Sequence, residues 1–542
     1  MLNRGVTFLS HRGLFPVWLK SSSSASTAFS PKMKTFASSS VSKQNEPVQP
    51  HVAIIGGGIA GLSAASKLKK LKINSTVFDM GTREPGGRAC SRVLVEDSKD
   101  LFSFDHGAQF IAPISGGEFE KEVKEWVTEG VAAPWQGRFG NLVKEESSGN
   151  STTTLKFIPY TTTTTIARKN GEDADAATTL GFCGINRTTN NSTKVPYVGI
   201  PNQGAIARHL AVGKKDAKVK IGHKVTGLFY NKTEKMWTVE GVPRSTAAAA
   251  ATPASFGKFD AVVVADALVV LPDSAGYAIG LVQEEDHNGG EGDVHEEVER
   301  IVDQIQKIKH QPVFSLLVAF ENTNTIDSSS DFEDFEDEIV PFDGVTMITK
   351  SGTPSSFQWM ARNSSKPSRA IVGRGDGGKR GKSSTWVAIT TPERSYELLK
   401  TWPLHSTKGV YNPQTHEYRE AVAKELLSEF LETLETAAAG GGDGSAGGES
   451  KKDKVDLKSR VVYYHAQRWG RGFVENPLQV DYLGSQSVLF AACGDFCGGR
   501  ARASSSSAMV ENAVSPIESA WGSGQRAAEA VASWLSASTR AD

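Results

Sequence analysis

The chain of 542 residues has only four cysteines, Cys90, Cys183, Cys493 and Cys497, and they are scattered. So few thiols, so far apart, exclude a disulfide-stapled secreted scaffold. The Cys493-x3-Cys497 spacing fits neither a CxxC redox motif nor a zinc knuckle, so buried or semi-buried thiols and no metal site are expected. An excess of one charge is also missing: 60 Lys and Arg stand against 61 Asp and Glu, a net charge of -1. Without a global basic field, nothing points to nucleic acid or to an anionic membrane. No apolar run reaches the roughly 20 residues of a membrane-spanning helix. Acids are absent from residues 1–45, which instead carry Arg4, Arg12, Lys20, Lys32, Lys34 and Lys43 and two serine clusters. That composition matches an organelle transit peptide, plastid ahead of mitochondrion, with a cytoplasmic location as the alternative. A secretory signal fits less well, because His11 and Arg12 interrupt the only apolar stretch of the leader.

Low-complexity segments punctuate the rest: 147–154, 161–165, 247–251, 283–297, 327–338, 366–382 and 437–454. They read as surface insertions, and the acidic 331–338 and basic 369–382 runs within them as solvated loops. Sequons such as those at Asn150 and Asn186 are expected by chance in so Ser- and Thr-rich a chain. Without leader and insertions, the length suits two domains.

The most organised stretch begins at His51. Val52 to Ile55 form an apolar, largely β-branched run that predicts a buried parallel strand, and Gly56, Gly58 and Gly61 follow in GxGxxG spacing. Gly56 permits the tight turn, Gly58 lets backbone approach a pyrophosphate, and Gly61 brings helix and strand together. Ile59 and Ala60 open the helix, whose free amides and dipole favour phosphate. Leu62, Ala65 and Leu68 recur at helical spacing, and a second strand from Ser75 to Phe78 ends at Asp79, about 20 residues on, where a ribose-binding acid belongs. This fingerprint leaves NAD and FAD open.

Gly86, Gly87 and Arg88 follow, then Asp105-His106-Gly107-Ala108-Gln109-Phe110. With the fingerprint, this pair of motifs resembles the FAD-dependent amine oxidases and their renalase-like relatives rather than nicotinamide dehydrogenases. The resemblance implies FAD as cofactor, with Gly87 and Arg88 on its diphosphate and Gly107, Ala108 and Gln109 beside it. It also implies a backbone contact from Val225 to the adenine. Gly494 and Asp495 would lie near the ribitol, and Glu518 and Ser519 would open a helix aimed at the flavin. A serine-rich stretch between Gly498 and Pro516 separates these last two motifs, which relatives keep close together.

The implied fold class is α/β: an FAD-binding Rossmann-type domain, βαβ and glutathione-reductase-like, with a second mixed-sheet α+β substrate domain. The expected division is a leader at 1–48, a discontinuous FAD domain at 49–112, 197–270 and 455–540, and a substrate domain at 113–196 and 271–454. Strands are predicted at Phe259 to Ala265, Pro312 to Phe320, Gly344 to Thr349, Phe357 to Arg362, Thr385 to Thr390 and Ser487 to Cys493, and helices at Ala205 to Ala211, Arg394 to Leu399 and Ala421 to Leu434. The segments around Phe357-Gln358-Trp359, Pro312 to Phe320 and His465-Ala466-Gln467-Arg468-Trp469 narrow the resemblance to the renalase-like branch.

That branch implies hydride transfer from a reduced nicotinamide dinucleotide or its isomer, with oxygen as electron acceptor. No second glycine fingerprint follows a strand, so an NAD(P)H-type substrate would enter and leave without a Rossmann site of its own. Pocket candidates are Trp359, Arg362, Asn363, Trp386, His465 and Trp469: the aromatics to stack on a nicotinamide, Arg362 to hold a phosphate or carboxylate. Core packing competes for each tryptophan, and hydride transfer from a dihydronicotinamide needs no base at His465. The alternatives are an amine oxidase, a desaturase, or a flavin-binding interaction protein without turnover.

Overall fold

The computed structural model describes residues 49–96, 99–146, 153–160, 188–189, 192–193, 195–212, 218–243, 252–266, 280–281, 293–321, 340–349, 355–369, 371–372, 382–407, 412–440, 456–498 and 515–538. The leader, Cys183, the 161–165 threonine run, the 247–251 alanine run, the 327–338 acidic run, and most of the 283–297 and 437–454 segments lie outside them. Within Gln49–Asp542, which forms one compact unit, two sheets dominate.

β1 (His51–Ile55) is buried from Val52 onward, as a central parallel strand requires, and Gly56 at φ +112° turns it into α1 (Ile59–Lys70). β2 (Asn74–Asp79) lies parallel to β1 with Phe78 opposite Ile55. An antiparallel ribbon follows, β3 (Arg92–Glu96) and β4 (Lys99–Phe104), then α2 (Glu118–Thr128), β5 (Phe139–Glu146) and β6 (Thr153–Pro159). The chain continues through α3 (Gly204–Val212), β7 (Lys218–Ile221), β8 (His223–Asn231), β9 (Met236–Pro243), β10 (Ala254–Phe259) and β11 (Ala261–Val264). Next come α4 (Asp293–Gln306), β12 (His310–Glu321), β13 (Gly344–Thr349), β14 (Phe357–Arg362), β15 (Lys382–Thr390), α5 (Pro392–Thr401) and α6 (His416–Gly440). β16 (Val461–Val474), β17 (Leu483–Ser485), β18 (Phe490–Ala492) and α7 (Pro516–Ser538) complete it.

Among the described residues the first sheet runs β7-β2-β1-β11-β18-β17, parallel except at its last pair. Alternate residues feed opposite faces. Val52, Ile54, Val77 and Val263 pack under α1, α2, α3 and α7, while Ala53, Ile55, Val262 and Val264 face α4 and the β8–β10 meander. The second sheet runs β16-β12-β15-β14-β13-β5-β6 and is mixed, because β13 and β5 pair in parallel. Helices α5 and α6 cover one face through Leu398, Val422, Leu426 and Phe430. Its other face carries Val313, Trp359, Ala361 and Ile389, packed with Phe110, Trp135 and Val198.

The fold class is therefore as expected, and the strand and helix assignments from Phe259 to Leu434 fall on β11, β12, β13, β14, β15, α5 and α6. Four details differ. β16 belongs to the second sheet, although a boundary at 455 assigns it to the FAD domain: it pairs with β12 along its length. α2 and α4, assigned to the substrate domain, pack on the first sheet instead, since Phe119, Val123 and Trp126, and Val298, Ile301, Val302 and Ile305, each form one apolar helix face. Ser487 to Cys493 is not one strand, because a turn at 486–489, with Leu489 at φ +53°, folds β17 back on β18. Finally, the start of the 366–382 basic stretch is no surface insertion: Lys366 and Arg369 are buried.

Candidate functional site

The site lies at the carboxyl ends of the parallel strands, where ligands of open α/β sheets bind. Each fingerprint glycine meets different surroundings. A Cβ at Gly61 would overlap the Gly56 carbonyl oxygen, and one at Gly57 the Asp79 carboxylate, so these are packing glycines. A Cβ at Gly58 would meet nothing within 4 Å. Gly58 is also the N-cap of α1, without a side-chain cap or an acid in the first turn, so the opening amides at Ile59, Ala60 and Gly61 are uncapped donors beside open space.

Asp79 ends β2 beside them, 8% exposed, with Oδ1 accepting from the Gly81 amide at 2.5 Å. Burial raises its pKa, the Gly81 amide opposes this, and Asp266 adds to the rise. The second motif is tied to the first, since the Gly86 amide donates to the Gly57 carbonyl at 2.7 Å. Gly87, at φ +54°, then opens a short 3-10 turn.

Arg88 joins the ends of the chain. Its Nη2 donates to Asp495 Oδ1 at 2.6 Å and its Nη1 to the Gly472 carbonyl at 3.0 Å, while its own carbonyl accepts from the Ala108 amide at 2.8 Å. The structure thus gives this guanidinium to Asp495, and gives Asp495 to it. A Cβ at Gly107 would overlap the Arg88 carbonyl oxygen. Gly494 donates its amide to Ser523 Oγ at 3.1 Å, a contact no sequence motif announces. Glu518 is committed elsewhere, accepting from the Ile114 amide at 3.1 Å, and Ser519 bonds Ser515 within its own helix start. Val225 lies in β8 with its side chain in the core that also holds Phe78.

The pocket candidates separate. Trp469 lies beside the Gly107 motif: its indole N–H donates to the His106 carbonyl at 2.9 Å and to Ser315 Oγ at 3.2 Å, and its ring meets His106 edge-on at 5.2 Å. Trp359 shares that layer but is fully buried against Phe110. Trp386 does not join them. It stands opposite Val318 and packs on Phe342 and Phe430, on the face covered by α6. Arg362 is no free anion holder either, because Nε and Nη2 both donate to Asp343 Oδ1, at 3.0 and 2.5 Å. Asn363 is a stitch between the sheets, donating to the Ser103 carbonyl at 2.8 Å and accepting from the Asp105 amide at 3.2 Å.

At that stitch lies a buried charge cluster. Asp105 Oδ1 accepts from Ser91 Oγ at 2.8 Å and the Gln203 amide at 2.9 Å; Oδ2 takes Lys366 Nζ at 3.1 Å and Arg369 Nη2 at 2.8 Å. Burial opposes ionisation, but Arg369 and Lys366 outweigh it and hold the carboxyl well below its usual range. Burial lowers Lys366 to about 8. Gln109 joins the cluster through a 3.5 Å contact from Lys366, and donates to the Asp105 and Gly107 carbonyls.

His465 is unsuited to act as a base. Burial first, then Arg92 and Arg419, push it down to about 3. His106 falls to about 4, again chiefly by burial. A histidine kept neutral in the fold takes up a proton on unfolding below its ordinary pKa of about 6.5. His106 therefore makes stability fall as pH drops from about 6.5 towards 4. Urea midpoints across that range test this: His106→Gln should flatten the pH dependence, and an unaltered slope would contradict the assignment.

A surface hollow of about 500 Å³ lined by Pro50, Leu71, Ile73 and Leu535 lies at the amino ends of β1 and β2, the opposite end of the first sheet. Among the described residues no helix is long and apolar enough to cross a membrane, and no group of three or more His, Cys, Asp or Glu could hold a metal ion.

Residues 54–126 match the model of an NAD(P)-binding Rossmann-like domain. The chain is similar in structure to putrescine oxidase with bound putrescine, at 14% identity and a TM-score of 0.48, over 90% of this chain and 99% of that one. A single-substitution variant from a redesign of cofactor binding in putrescine oxidase gives 14% identity and a TM-score of 0.49, with the same coverage. Cyclohexylamine oxidase from Brevibacterium oxydans gives 12% identity and a TM-score of 0.48, over 90% of this chain and 100% of that one.

Proposed function

We propose that this chain is an FAD-dependent oxidoreductase of the renalase-like kind, oxidising a reduced nicotinamide dinucleotide or its isomer and passing electrons to oxygen. The observation that carries the cofactor is Gly58, open at its Cβ position above the uncapped start of α1, with buried Asp79 beside it. Those amides would hold the diphosphate and Asp79 the adenosine ribose, while Gly107 and Trp469 would border the ring system. FAD supplies, when bound, the two-electron acceptor for a hydride from a substrate carbon. The protein's share is to bind and orient: Trp469 is held by two hydrogen bonds, and burial leaves His106 and His465 too weakly basic to take a substrate proton. Delivery to a plastid is proposed on the acid-free, Arg- and Ser-bearing leader alone.

Amine oxidation is the second reading, favoured by the aromatic edge that Trp469 presents beside Gly107. Anaerobic mixing of the FAD-loaded protein with NADH, NADPH and putrescine separates the two. The dinucleotides should bleach the flavin absorbance and putrescine should not. Bleaching by putrescine alone would transfer the assignment to amines, and bleaching by none of a broad reductant panel would end the enzyme reading.

A further inference from the structure

The register of β16 against β12 breaks at its far end. Gln311 pairs with Phe473 and Val313 with Trp469, so Gly470, Arg471 and Gly472 stand opposite Pro312 alone. Proline offers no amide to the ladder, and a bulge of this kind re-aims the side chain it carries. The backbone of the bulge reaches the carboxyl end of the first sheet, where the Gly472 carbonyl accepts from Arg88 Nη1 at 3.0 Å. A Cβ at Gly470 would face Leu404, in the connection after α5. The Arg471 side chain goes the other way, into range of the charges on Arg88 and Asp266. Asp266 in turn flanks the glycine-rich turn, since a Cβ at Gly56 would come within 2.9 Å of the Asp266 Cβ.

Arg471 thus shares that turn with Arg88, but the two guanidiniums are differently engaged. Arg88 is held by Asp495 and by the Gly472 carbonyl. Arg471 Nη1 is buried and has no hydrogen-bond partner. A guanidinium can only donate, and buried donors are nearly always bonded, so this one calls for an acceptor. Burial lowers the Arg471 pKa; Asp266 opposes this through its charge alone, and Arg88 adds to it. Two like charges at one place favour an anion between them. Room for one is present beside the turn: a Cβ at Gly58 would meet nothing within 4 Å, and one at Gly87 only the Gly58 Cα at 3.5 Å.

We infer that Arg471 is a second cation on the FAD diphosphate, delivered from the second sheet by the bulge in β16. This rests on the FAD reading above and adds, to the amides that open α1, a contact from the other half of the chain. Forked guanidinium donors suit phosphate oxygens. Bound FAD would then tie the two sheets together at this end.

Calorimetric titration of the full chain, freed of flavin, with FAD and with ADP tests it. Arg471→Ala and Arg471→Met should each weaken both ligands by about tenfold or more, a loss of about 1.4 kcal/mol, and Arg471→Lys should lose less. ADP carries the diphosphate without the flavin ring, and methionine keeps the stem without the charge. Thermal unfolding of each ligand-free variant should remain cooperative. Wild-type affinity for both ligands in Arg471→Ala, full affinity in Arg471→Met where Arg471→Ala loses it, or a loss for FAD with none for ADP would overturn the inference. A wild-type chain that unfolds cooperatively yet binds neither ligand defeats the FAD reading itself, whereas a wild type that binds both, with variants that match it, defeats the inference alone.

Discussion

Asp105→Ala is expected to destabilise the protein by about 3–5 kcal/mol, the loss that follows when one partner is removed from a buried ion cluster. Asp105, Lys366 and Arg369 are at most 2% exposed, so the two cations would be left with neither counter-ion nor water. The same change removes the acceptor for the Gln203 amide and for Ser91 Oγ. Lys366→Met should cost much less, because Arg369 still neutralises Asp105 and the added thioether packs over Trp135, whose ring already lies 5.1 Å from Nζ. The wild-type cluster also sets an acid limit. Its carboxyl titrates lower in the fold than in the unfolded chain, so its stabilisation is complete above about pH 4 and is lost as pH falls towards the folded value. Urea unfolding of the wild type and both variants at neutral and acid pH checks the ranking; equal losses from Asp105→Ala and Lys366→Met would contradict it.

Gly58→Ala should leave the fold intact and reduce FAD affinity by about 100-fold, or about 2.7 kcal/mol. Gly58 has φ -76°, which any residue adopts, and its Cβ position is empty, so alanine adds a methyl only where a diphosphate must approach. Gly61→Ala is the opposite case. Its Cβ would strike the Gly56 carbonyl oxygen and push α1 off β1, lowering stability and FAD binding together. Thermal unfolding and flavin fluorescence titration separate the two classes. A Gly58→Ala protein that binds FAD as the wild type does would remove the diphosphate from this turn.

How legible these features are follows from how local they are. The turn from Gly56 to Gly61 is readable because strand, glycines and helix are contiguous, and each glycine's task concerns its immediate backbone. Asp79 follows from counting along the same βαβ unit. The face of Trp386 is not readable in this way: β15 is apolar on both sides, and only its register against Val318 shows the ring under α6. Lys366 sits among serines and basic residues that read as loop, while the carboxylate that buries it is 261 residues away. Arg362 and Glu518 each have a partner that no local motif announces, Asp343 and the Ile114 amide, because those partners come from other parts of the chain.

The central claim is that this chain folds around a flavin. The most direct measurement is the FAD content of the purified full chain after incubation with excess FAD and gel filtration, quantified by absorbance of the cofactor released on denaturation. The account predicts a yellow protein carrying about one FAD per chain, held at the single glycine-rich turn. A colourless chain that unfolds cooperatively, yet retains neither FAD nor FMN, would contradict it.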